Sequence, residues 1–117
     1  MHVCLQIGDG SSKAKVELGL VVSGSNVKGV AFLTGDGSNL EFSLEGRISY
    51  LVWNSESVAH LSLTGSTFIQ TGGTIQVEGI LTEDLSKGIA NWIYRPETGQ
   101  PVGEKKALVN RIICSRD

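Results

Sequence analysis

"NLEFSLEGRISYLVW", residues 39–53, alternates apolar and polar side chains over a longer span than most strands run, and its reading decides the fold. Leu40, Phe42, Leu44, Ile48, Tyr50 and Val52 share one parity, while Asn39, Glu41, Ser43, Glu45, Arg47 and Ser49 share the other. A period of two is that of a β-strand with one buried and one wet face. Gly46 interrupts the apolar parity in mid-stretch. A missing side chain there lets a strand coil sharply or lets another backbone approach, so one ribbon can serve both sides of a small barrel or sandwich. Leu51 and Trp53 fall on the polar parity. They call for a bulge, or for another element or subunit over the outer face, and are the candidate interface residues.

The same period runs outward along the chain. "KAKVELGLVV" groups Val16, Leu18, Leu20 and Val22 against Lys15 and Glu17, and "TIQVEGILT" sets Ile75, Val77 and Leu81 against Gln76 and Glu78. "SVAHLSLT" groups Ala59, Leu61 and Leu63 opposite Val58, His60 and Ser62. "NVKGVAFLT", "GIANWIYR" and "ALVNRIIC" are apolar on both parities, as strands covered on both faces would be. Seven or eight strands result. The connectors at 23–26, 34–39, 53–57, 70–73 and 82–88 are short and rich in turn residues, which forces sequential antiparallel pairing. Only "RPETGQPVGEKK", 95–106, reads as a long polar loop, a candidate lid or partner-binding segment. No stretch keeps helical spacing for three turns, although "TEDLSK" suits a single capped turn. "VKGVAFLTGDGS" and "VEGILTEDLS" share a faint echo, of the kind that hairpin composition produces by default.

The expected fold is therefore all-β: an antiparallel up-and-down meander of seven to eight strands closed into a small barrel, residues 1–117 forming one domain. In architecture alone it resembles the small barrels of the calycin, lipocalin and avidin type. No family motif carries that resemblance. The lipocalin-like Gly-x-Trp of a first strand is missing, the tryptophans being Trp53 and Trp92. A two-sheet sandwich is the alternative.

Composition limits function. The 117 residues suit one domain, and 15 glycines against 2 prolines suit tight turns better than helices or linkers. A net charge of −2 offers no field for nucleic acid or an acidic membrane. No apolar run approaches the roughly 20 residues that span a bilayer, and "MHVCLQIGDG" has no signal-peptide pattern. The chain reads as soluble, and a cytoplasmic location is favoured slightly over secretion with the signal removed. Cys4 and Cys114 match no zinc or redox spacing. If the terminal strands are neighbours the two can bridge; the alternative is a pair of reduced, semi-buried thiols.

Candidate chemistry sits on the last two strands. Asn91 lies between Ile89 and Ile93, Asn110 between Leu108 and Ile112, and Arg111 between Val109 and Ile113. One of Asn110 and Arg111 must point into the buried face, where it needs a partner. They satisfy backbone at a bulge, pair with a carboxylate such as Glu78 or face solvent; or, with Tyr50, Trp92 and Tyr94, they hold a small polar or carboxylate-bearing ligand. His60 points away from Leu61 and Leu63, and as a general base it would need an acid such as Glu41, Glu45 or Glu56 across the strand. His2 falls in a terminus expected to fray. Asp36, Glu83 and Asp84 are turn acids too few for calcium. "GDGSS" at 8–12 lacks the lysine and helix of a phosphate loop, and no Gly-x-Ser-x-Gly elbow occurs. Neither metal nor cofactor is expected.

Three functions compete on these residues. A non-enzymatic barrel that binds a small, partly apolar molecule comes first. Next is an interaction domain with a filled core, joined as a homodimer through Leu51 or Trp53. Third is a small isomerase- or hydrolase-type enzyme using His60 or Tyr50.

Overall fold

The computed structural model describes residues 1–8, 14–35, 38–67 and 72–114. The turn expected at Asp36-Gly37, most of "GDGSS" and the first half of the connector at 70–73 lie outside these residues. The alternating segments form β1 (His2–Ile7), β2 (Ala14–Ser23), β3 (Asn26–Gly35), β4 (Ser38–Trp53), β5 (Glu56–Thr67), β6 (Thr74–Thr82), β7 (Lys87–Arg95) and β8 (Val102–Ile112). Each strand pairs antiparallel with the next, and β1 pairs with β8, so the meander closes into an eight-stranded barrel. No helix of the described residues is long and apolar enough to cross a membrane.

Stagger explains the length of β4. Ser38 to Arg47 pair with β3, whereas Phe42 to Trp53 pair with β5, so one ribbon bridges two neighbours that are offset along the barrel. Such an offset is what closing a sheet of tilted strands demands. Gly46 lies where both ladders overlap, and a methyl group there would run into the Ser62 carbonyl oxygen and Leu63 Cα. The close approach of β5 depends on the absent side chain.

Inward positions are filled. Val3, Leu5 and Ile7 of β1, Val16, Leu18 and Leu20 of β2, and Phe42, Leu44 and Ile48 of β4 meet Leu61, Leu63, Val77, Trp92 and Val109 from across the barrel, all of them buried. Eight strands leave an interior that side chains can fill, and here they fill it.

The two ends differ. At one, the β6–β7 connection folds inward and places Leu85, 3% exposed, in the core as a plug. Leu85 takes a left-handed backbone (φ 61°), a strained state for a leucine that burial of its side chain offsets. At the other end Tyr94 donates to the Gly72 carbonyl at 2.5 Å and meets the edge of Phe42, with ring centroids 5.5 Å apart.

The long polar loop expected at 95–106 is shorter, because β8 begins at Val102. Gly103, Glu104, Lys105 and Lys106 belong to that strand, and its pairing with β7 carries an irregularity between Ala90 and Trp92. Asn91 stands there opposite both Lys105 and Lys106. Its Oδ1 accepts the Lys106 backbone N–H at 2.7 Å, and Lys106 adopts φ 54°. The extra residue is thus held as a β-bulge.

Among the described residues the seam between β1 and β8 has the pairs Cys4–Ile112, Leu5–Arg111, Gln6–Asn110 and Ile7–Val109, with one more backbone hydrogen bond from the Gly8 N–H to the Leu108 carbonyl at 2.7 Å. A disulfide between Cys4 and Cys114 spans it, with Cα atoms 5.3 Å apart.

Candidate functional site

The residues expected around a ligand are distributed over separate places. Trp92 and Tyr94 face inward, Trp92 within the packed core and Tyr94 against its edge. Tyr50 is half exposed on the overhanging part of β4, four positions beyond Gly46, the residue in register with the Trp92 row through Leu63 and Val77. At about 3.3 Å per residue that is roughly 13 Å along the strand. Asn91 is occupied by the bulge, and Asn110 faces outward between Gln6 and Lys87. Arg111 has the inward parity and pins the plug loop: its Nη1 donates to the Asp84 carbonyl at 3.1 Å, and its backbone N–H to that of Ser86 at 2.8 Å.

The same loop holds the most perturbed acid. Thr82 Oγ1 donates to Asp84 Oδ1 at 2.7 Å, and the Ser86 N–H donates to it at 3.1 Å. These donors, Thr82 foremost and then Ser86, hold the Asp84 carboxyl at about 2. That is the chemistry of a loop clasp, since the donors are the last residue of β6 and a residue of the loop that follows it.

Sequence reasoning passed over Glu104 by assigning it to a loop. It points inward opposite Trp92, and Glu104 Oε1 and Trp92 Nε1 are buried without a hydrogen-bond partner. On the outer face of the same strands, Gln76, Glu78, Asn91, Ile93 and Lys105 line a groove of about 370 Å³. A buried donor and a buried acceptor on paired residues suit a group that offers both, such as a hydroxyl or a carboxamide.

His60 finds an acid other than those the sequence suggested. Its Nε2 lies 3.0 Å from Glu78 Oε2, and Ser62 Oγ donates to Glu78 Oε1 at 2.7 Å. The wiring is wrong for a nucleophile: the serine proton goes to the carboxylate, where a triad needs it on the imidazole. The group is also well exposed on the outer face.

The outer face of β4 to β8 shows a stronger convergence. His60, Ile80, Ile89 and Leu108 occupy one register row across four strands. Val58 flanks that row and pairs with Leu51, and Trp53 follows Leu51 along β4. Trp53 is 68% exposed, Leu51 and Leu108 51%, Ile80 50% and Ile89 45%. Val58, Ile80, Ile89 and Leu108 line a shallow depression of about 390 Å³. Scattered surface leucines are ordinary; a contiguous band in register across a sheet is a mark of an interaction surface. Exposed acids, Glu56 and Glu78, lie on its β5–β6 side, and exposed bases, Lys87, Lys105 and Lys106, on its β7–β8 side.

Compared with known proteins, the chain matches no family model and no curated sequence. The residues themselves carry the functional reading.

Proposed function

We propose that this barrel is a non-enzymatic interaction module that pairs with a second copy of itself through the outer face of β4 to β8. The observation that carries the reading is the inversion of its apolar resources. The interior is packed with side chains, and a row of large apolar residues remains outside, continuous from Trp53 to Leu108. Charge selects the occupant. A two-fold axis in the interface, running along the strands between β6 and β7, sets the β5–β6 side of one copy against the β7–β8 side of the other. The acidic side of one copy then faces the basic side of the other, with Glu78 level with Lys105 and Lys106, and Ile80 meets Ile89 across the axis. Sedimentation over a range of protein concentrations tests this: the wild type is expected to form a dimer, and Ile89→Lys, an outward substitution that leaves the core intact, to be monomeric throughout. A wild type that stays monomeric at every concentration overturns the pairing.

A second reading, a small-molecule site, is supported by the unpartnered Trp92 Nε1 and Glu104 Oε1. It predicts that small polyols or carboxamides raise the melting temperature and that Glu104→Gln reduces the rise. No response to either class counts against it.

A further inference from the structure

The disulfide has a neighbour that the pairing of cysteines does not require. His2 and Cys4 are two residues apart on β1 and so stand on the same outer side of the strand. An imidazole nitrogen of His2 and the Sγ atoms of Cys4 and Cys114 all lie within 4.8 Å of one another. His2 is tied into the sheet by its register with Val21, and the preceding Met1 amino group donates to the Val22 carbonyl at 3.0 Å. The terminus is held in place, contrary to its expected fraying. Directly across from Cys4 the chain has Gly19, and a methyl group built there would still be 3.9 Å from Cys4 Sγ. A small notch lined by Glu17, Gly19 and Ile112 opens beside the sulfur.

We propose that, once the Cys4–Cys114 bond is reduced, His2, Cys4 and Cys114 form a site for one thiophilic divalent cation of the zinc class. Two thiolates and an imidazole are the donor set that zinc takes with its fourth position open to water. Tetrahedral geometry with zinc about 2.3 Å from each sulfur places the sulfurs roughly 3.8 Å apart. The three donors lie within 4.8 Å of one another while the sulfurs are still bonded, so reduction has only to let the sulfurs move apart to that separation, and the notch beside Gly19 lies next to Cys4 Sγ.

The chemistry balances as an exchange of clips across the seam. A dithiol delivers two electrons and two protons to the disulfide, leaves two thiols and closes its own disulfide ring. The cation displaces the two thiol protons, and the imidazole contributes its lone pair without losing a proton. Oxidation by a low-molecular-weight disulfide withdraws two electrons from the thiolates, re-forms the Cys4–Cys114 bond and expels the cation, while the oxidant departs as two thiolates. The barrel is thereby clipped by a covalent bond in an oxidising setting and by a metal in a reducing one.

Cobalt(II) chloride is the probe, added anaerobically to the full chain after reduction by a dithiol and removal of the excess. The expected result is one equivalent bound, with thiolate-to-cobalt charge-transfer absorption and the visible bands of tetrahedral cobalt. Oxidised chain should bind none. His2→Ala, an exposed substitution that keeps both cysteines, should retain the charge-transfer band and lose affinity by more than about tenfold, a loss that even an outer-shell partner can cause. Near-UV circular dichroism reports whether the barrel is intact in the metal-bound state. Failure of the reduced chain to bind cobalt, an unchanged affinity in His2→Ala, or binding only to a chain without near-UV signal would each overturn the proposal.

Discussion

Asp84 shows how one residue gives the closed end its pH dependence. Its carboxylate accepts from Thr82 Oγ1 and from the Ser86 N–H, which holds its pKa at about 2 against an ordinary value of 3.8. A group whose pKa is lower in the folded state binds fewer protons there than in the unfolded chain. Its contribution to stability is therefore complete above pH 3.8 and is lost as the pH falls through about 2. Asn at this position still accepts the same hydrogen bonds but cannot take up a proton. Urea unfolding at pH 4.5 and pH 2.5 should thus show Asp84→Asn losing less stability between the two than the wild type. Equal losses would mean that the clasp does not discriminate between the two protonation states. Leu85, one residue on, belongs to the same device, because the loop that Asp84 and Arg111 fasten is the one that carries the plug.

Elements were legible where a strand alternates cleanly and illegible where its side chains carry two meanings. Residues 39–53 announced β4, since the period depends only on local chemistry, and of the two roles open to Gly46 the close approach of a neighbouring backbone is the one seen. The start of β8 was hidden. "VGEKK" has the polarity of a loop, and what makes it strand is the ladder to β7 together with the Asn91 side chain, which satisfies the Lys106 N–H at the bulge. That pairing partner lies fifteen residues away. Glu104 was missed for the same reason: an inward carboxylate can be recognised only after the strand and its register are known. Parity required one of Asn110 and Arg111 to point inward without saying which, and the partners of Arg111, the Asp84 and Ser86 carbonyls, come from a loop that carries a leucine with left-handed backbone. The ligand-site grouping of Tyr50 with Trp92 joined aromatics of separate strands at a supposed barrel mouth. Parity assigns a face but not a height along the barrel, and the stagger of β4 separates the two.

At the scale of the whole molecule the weak point is the seam. β4 and β5 share a ladder running from Phe42–Thr67 to Trp53–Glu56, whereas among the described residues β1 and β8 share a short one from Cys4–Ile112 to Ile7–Val109. Every other strand is held by the order of the meander, but the seam joins the two ends of the chain and must repay the largest closure entropy. The Cys4–Cys114 bond addresses that cost in the unfolded state, because its partners are 110 residues apart. In the chain-entropy account a loop of that length is worth about 4–5 kcal/mol. Replacing both cysteines by serine should therefore lower the melting temperature by more than about 10 °C, as should reduction of the wild type in metal-free buffer. The measurement is a thermal unfolding scan of three samples: oxidised, reduced and doubly substituted. Near-coincidence of the last two, both well below the first, assigns the effect to the cross-link. A fall of only a degree or two would instead mean that the filled core holds the seam closed unaided, and the disulfide would then matter chiefly for what its sulfurs can bind.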